Sequence, residues 1–169
     1  MKKIDFKLEV GAELPSFDPI NIGLVVKAFK ILKVYKGDVE ISEENLEKVI
    51  DGFEKRGFIK LRVNERILFG TGLRADVPEG MELQIRSVSG LSLEKGIIIA
   101  SRIEGIGPNN KGEIGIVLAN TTTFLPRIDK GDPIAQLVPQ ETIRPEIFQI
   151  TEDLEEQDMD NILESFPKI

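Results

Sequence analysis

Apolar residues along this chain come mostly in short runs, broken about every ten residues by glycine, proline or asparagine. MELQIR (81–86) alternates apolar and polar positions strictly, which predicts a strand with one wet face. GIIIA (96–100) and IGIVLA (114–119) are continuous apolar runs and suit strands covered on both sides. TTTFLPRI (121–128) and IAQLV (134–138) are further strand candidates, and IDKGDP (128–133) between them has the residues of a tight turn. VPEG (77–80), SG (89–90) and PNNKG (108–112) supply more turns. That rhythm predicts an all-β antiparallel sandwich or barrel.

Two segments depart from it. SEENLEKVIDGFEKRG (42–57) reads as one inserted α-helix over about 42–56. Ser42 is placed to cap it, Glu43 and Glu44 suit the first turn, Lys55 and Arg56 the last, and Gly57 closes it. Leu46, Val49, Ile50 and Phe53 form one apolar stripe, expected to pack on the parent domain, with a partner surface as the alternative. Near the end, Met159, Ile162, Leu163 and Phe166 fall at the spacing of a short C-terminal helix.

Composition narrows the chemistry. A chain of 169 residues, 41% hydrophobic and 30% charged, is long enough for one well-packed domain. We divide it into a β domain over 1–150, with the helical insertion at about 37–58, and an acidic tail over 151–169. There is no cysteine and no histidine, so hydrolytic chemistry would rest on carboxylates. No apolar run approaches the roughly 20 residues that span a bilayer, and the first ten residues lack the apolar core of a signal peptide. A cytoplasmic protein is therefore expected, in a cell or, for a viral chain, in the host cytoplasm or the virion. The net charge of −7 is concentrated in residues 151–169, which carry seven acids and one lysine. No clustered basic stretch suggests a nucleic-acid partner.

From Glu65 onward the order of short motifs is specific. Thr71-Gly72-Leu73, Pro78-Glu79-Gly80, Ser89-Gly90-Leu91, Gly112-Glu113 and Gly131-Asp132-Pro133-Ile134-Ala135-Gln136-Leu137 follow one another in register. Together they resemble the homotrimeric dUTPase family. The likeness covers residues 65–138 well and the first 35 weakly. It implies an all-β, distorted jelly-roll subunit, assembled as a trimer with nucleotide sites between copies. It also implies an aspartate-activated water that attacks the α-phosphate of dUTP, with Mg2+ on the phosphates.

The same resemblance assigns positions. Ser89, Gly90 and Gln136 match the family's phosphate contacts, and Ser101 and Asn110 are further ligand-contact candidates. Other motif positions differ. Val25 and Gly107 stand where the family has aspartates, Gly107 at the catalytic one. Val88 and Pro133 replace arginines, and Asn110 replaces the tyrosine that packs on deoxyribose. Glu104 is the nearest carboxylate upstream of Gly107, and no glycine follows Gly131 to build the family's phosphate-cradling arm. The related dCTP deaminase branch needs a glutamate within 114–119, and IGIVLA has none.

These substitutions lead us to expect a homotrimer that lacks dUTP hydrolysis. It would bind a nucleotide or metabolite, or act as a protein-interaction or assembly module through helix 42–56 or the tail. A divergent, active, Mg2+-dependent dUTP pyrophosphatase using Glu104 or another carboxylate is the alternative. A structural virion trimer is the second alternative.

Overall fold

The structure, a computed structural model, describes residues 3–17, 19, 20, 22–100, 105–143, 145 and 146. With elements numbered in chain order, two five-stranded sheets carry the fold. One sheet runs β10 (Ile97–Ile99), β12 (Gly115–Asn120), β7 (Glu65–Gly70), β4 (Lys30–Lys36) and β5 (Val39–Glu40). The other runs β11 (Gly105–Ile106), β9 (Met81–Arg86), β14 (Pro133–Glu141), β3 (Leu24–Lys27) and β2 (Ser16–Phe17). Two ribbons, β1 (Asp5–Leu8) with β8 (Leu73–Asp76) and β6 (Phe58–Lys60) with β13 (Arg127–Asp129), complete the set. Every pairing is antiparallel. This is the all-β architecture that the turn rhythm and the resemblance both imply.

The core lies where the sheets face each other. Ile67 and Phe69 of β7, Ile116 and Leu118 of β12, Leu83 of β9, and Ile134 and Leu137 of β14 are all 0% exposed. Each such side chain contributes about 1.5–3 kcal/mol through burial. The continuous apolar runs behave differently from expectation. On β12, Ile116, Leu118 and Asn120 are buried while Gly115, Val117 and Ala119 are half-buried, and Ile98 of β10 is 41% exposed. Apolar content alone does not reveal whether the second face of a strand has a cover. The run at 121–128 yields only β13. Its threonines turn instead, with Thr122 N donating to Asn120 Oδ1 at 2.8 Å.

Helix α1 (Glu43–Arg56) forms as its pattern predicts and docks on the parent domain. Phe53 is 0% exposed and meets the Phe69 ring edge-on at 6.1 Å, while Leu46, Val49 and Ile50 pack against the same core. Gly57 ends the helix at φ 74°, its N–H donating to Phe53 O. Ser42 sits at the N-cap but makes no side-chain cap bond, because its Oγ accepts from Asn45 Nδ2 at 3.0 Å instead. Helix α2 (Leu91–Lys95) is too short to leave a periodic signal. No helix among the described residues is long and apolar enough to cross a membrane. The proposed C-terminal helix and the 151–169 tail lie outside the described residues.

Candidate functional site

Two turns meet around Gln136 of β14. Strand β14 places this residue opposite Val25 of β3 on one side and opposite Arg86 of β9 on the other. Its amide is 9% exposed and works at both ends: Oε1 accepts from Gly23 N at 2.9 Å and Nε2 donates to Ser87 O at 2.7 Å. One N–H and one lone pair remain for a ligand. Gly23 is required by this approach, since a Cβ there would lie 2.8 Å from Leu137 O.

Ser89 is exposed beside this clamp, and Gly90 opens α2 at φ 82°, a backbone that glycine adopts without strain. The Glu94 carboxylate lies about 3.1 Å from where a Cβ on Gly90 would sit, so an anion arriving here meets an acid. Val25 and Val88 are 8% and 7% exposed and belong to the core. They are therefore packing residues, and they point no charge at the clamp. Pro133 begins β14 and is exposed.

A hairpin carries the second part of the site. Gly105 and Ile106 pair with Gln84 and Leu83 of β9. Beyond it, Asn110 N closes a turn onto Gly107 O at 3.1 Å. Asn110 Oδ1 accepts from Gly112 N at 3.1 Å, so that side chain serves its own loop. The hairpin is held from both sides. Lys111 Nζ meets Asp76 Oδ1 at 2.6 Å, and Glu113 Oε1 accepts from Gly72 N at 2.8 Å. Thr71 Oγ1 donates to Ile114 O at 2.8 Å, which makes the Thr71-Gly72-Leu73 turn a grip on the hairpin's return strand.

Electrostatics follow these contacts. The hydrogen bond to Glu9, and then the bond and charge of Glu113 at 3.1 Å, raise the Lys30 ammonium above its usual range, against a lowering from burial. The hydrogen-bonded Lys111 ammonium holds the Asp76 carboxyl below its ordinary value.

Among the described residues, no heavy atom lies within 4 Å of a would-be Cβ on Gly107. Extending the pairing by one step sets Glu82 across from Gly107, and the Glu82 carboxylate fills the space a Cβ on Gly105 would take. Its other oxygen accepts from Gln84 Nε2 at 2.7 Å. Sequence reasoning missed Glu82, whose only local signal is its place on the polar face of MELQIR. Glu104 and Ser101 lie outside the described residues.

The clamp and the hairpin tip sit at opposite ends of β9. At about 3.4 Å per residue, Glu82 lies roughly 14 Å along the strand from Arg86, the residue opposite Gln136. A single copy of the chain does not bring them together. Among the described residues no three acidic side chains converge on one point to hold a metal.

A two-sheet antiparallel subunit with a glutamine-clamped turn cluster and a separate glycine-tipped hairpin defines the class. The family model described as dUTPase matches residues 56–163, and the chain belongs to that family. It is similar to the deoxyuridine 5'-triphosphate nucleotidohydrolase of Hydrogenobaculum sp., 36% identical over 94 residues, covering 56% of this chain and 65% of the relative. It is also similar to the enzyme of that name from Aquifex aeolicus, 38% identical over 80 residues, covering 47% and 53%. The match therefore spans less than two thirds of these relatives' own length.

Solved structures give the fold independently. A mutant dUTPase from phage phi11 of S. aureus, described as coordinating a structural Mg(II) ion, superposes with a TM-score of 0.62 at 17% identity. That alignment covers 89% of this chain and 98% of the phage chain. A mutant dUTPase of Staphylococcus bacteriophage 80alpha with dUpNHpp gives 0.62 at 19% identity, covering 93% and 94%.

Proposed function

We propose that this chain hydrolyses dUTP or a closely related deoxyuridine nucleotide to the monophosphate and diphosphate, in sites formed between copies of a homotrimer. The observation that carries the reading is the Gln136 clamp. It joins the Gly23 turn, the Ser87–Gly90 turn and β14 at the positions that match the family's phosphate contacts. The similar relatives are deoxyuridine 5'-triphosphate nucleotidohydrolases, which supports the same substrate. The roughly 14 Å between clamp and hairpin along β9 supports assembly from more than one copy, each supplying a hairpin to a neighbour's clamp.

In this reading Glu82 supplies the base that position 107 lacks. A water attacks the α-phosphorus and passes its proton to the Glu82 carboxylate; the bond from the α-phosphorus to the bridging oxygen breaks, and diphosphate leaves. Backbone N–H groups at Ser89-Gly90 orient the phosphates, and magnesium, when bound, would offset the charge of the phosphates and of the nearby Glu94 carboxylate.

A second reading, binding without turnover, is favoured by Gly107 and by the burial of Val25. One experiment separates the two. Diphosphate release from dUTP with magnesium is measured for the native chain and Glu82→Gln, alongside binding of a non-hydrolysable dUTP analogue. Release that falls at least a hundredfold in Glu82→Gln supports the first reading. Binding without release transfers the conclusion to the second, and neither binding nor release removes both.

A further inference from the structure

A groove of about 480 Å3 lies between α1 and β6, away from the clamp and the hairpin. Its rim carries Lys36, Lys48, Arg56, Lys60 and Arg62 against one carboxylate, Glu65. Glu65 is 6% exposed and accepts from Arg62 N at 2.8 Å, so it is committed to the local backbone. Lys48 is paired with Glu44 at 2.5 Å; among the described residues the other four cations have no carboxylate within ion-pair distance. The floor is apolar, with Val49, Phe58 and Leu125, and Leu125 is 52% exposed. Gathering like charges over an apolar floor, in a chain of net charge −7, favours an anionic and amphipathic occupant.

We propose that this groove seats the chain's own acidic C-terminal segment, residues 151–169, from the same or a neighbouring copy. That segment has seven acids for the rim, and Met159, Ile162, Leu163 and Phe166 recur at helical spacing for the floor. Reach is ample. The chain after Glu146 extends up to roughly 75 Å, against a radius of gyration of roughly 15 Å for a domain of this length. Tethering also resolves an energetic difficulty. Exposed ion pairs each contribute only a factor of about 1.5–5, too little to recruit a free peptide. A linked segment is present at an effective concentration on the order of millimolar. The proposal stands independently of whether the nucleotide site turns over.

The test is hydrogen exchange across residues 151–169 in the full chain, read by mass spectrometry at low and at 0.5 M salt, where screening shortens to about 4 Å. We expect protection at low salt that falls about tenfold at high salt and in Lys60→Glu/Arg62→Glu. Adding Glu155→Lys/Glu156→Lys to that variant restores it. Unprotected tail amides in the native chain overturn the proposal, and so does protection indifferent to the groove substitutions. Should Lys60→Glu/Arg62→Glu not fold, the native salt titration and the milder Lys60→Gln/Arg62→Gln carry the same decision. Displacement of bound tripolyphosphate by the groove substitutions, with tail exchange unchanged, assigns the groove to a free anion and likewise overturns the proposal.

Discussion

Gly107→Asp places a carboxylate where the hairpin has none. Among the described residues a Cβ at this position meets no heavy atom within 4 Å, and Gly107 is not among the positive-φ glycines. It precedes Pro108, which favours extended backbone at 107. It also opens the turn closed by Asn110 N on Gly107 O, where aspartate is a favoured first residue. Packing therefore loses nothing, and the reduced freedom of the unfolded chain stabilises by about 0.4–1 kcal/mol. The effect on rate is larger when read in the Glu82→Gln background, where the proposed base is gone. There a positioned general base at 107 restores about 10²–10⁴, or roughly 3–5 kcal/mol of barrier at about 1.4 kcal/mol per decade. The assay is diphosphate release from dUTP with magnesium, Glu82→Gln with and without Gly107→Asp at equal concentration, with a thermal melt as the fold control. A folded double variant whose release stays within threefold of Glu82→Gln would refute the placement of residue 107 at the reacting centre.

Gln136→Leu keeps the volume but removes both amide bonds. The buried Gly23 N–H loses its acceptor at a cost of about 1–3 kcal/mol, while the exposed Ser87 carbonyl is rehydrated. At about 2–4 °C per kcal/mol for a chain of this length, a Tm lower by about 2–12 °C is expected, and a shift under 1 °C would show that the clamp is not needed for stability. Lys111→Ala releases Asp76, whose carboxyl then titrates in the ordinary range, as an NMR titration would detect. Because the folded Asp76 value is depressed, its contribution is present above the unfolded pKa and is lost as pH falls through the folded one. The native chain and Lys111→Ala should therefore differ in Tm at pH 7 and converge in acid below the depressed Asp76 value.

Local chemistry in the sequence determined much of this protein. The 3.6-residue stripe from Leu46 to Phe53, with Gly57 after it, fixes α1, and alternation fixes β9. Turn residues such as Gly80, Gly90 and Gly131 fix the corners because glycine alone adopts positive φ freely. Their order from Thr71 to Leu137 carried the family, and the same order sets Gly107 where the resemblance leads one to expect an aspartate.

Tertiary structure decided what depends on residues far apart in the chain. The Gln136 amide is bonded to Gly23, 113 positions away, which makes a ligand-contact candidate a structural clamp as well. Val25 is buried, although its residue type alone does not say which face is covered. Glu82 enters the site only because antiparallel register lays β9 against Gly105. The cationic groove exists because α1, the end of β4, and β6 with the residues that follow it bring Lys36, Arg56, Lys60 and Arg62 onto one rim. Propensity and periodicity act over a few residues and are written locally. Register, burial and charge convergence are set by which distant segments share an interface, and those appear only once the chain has folded.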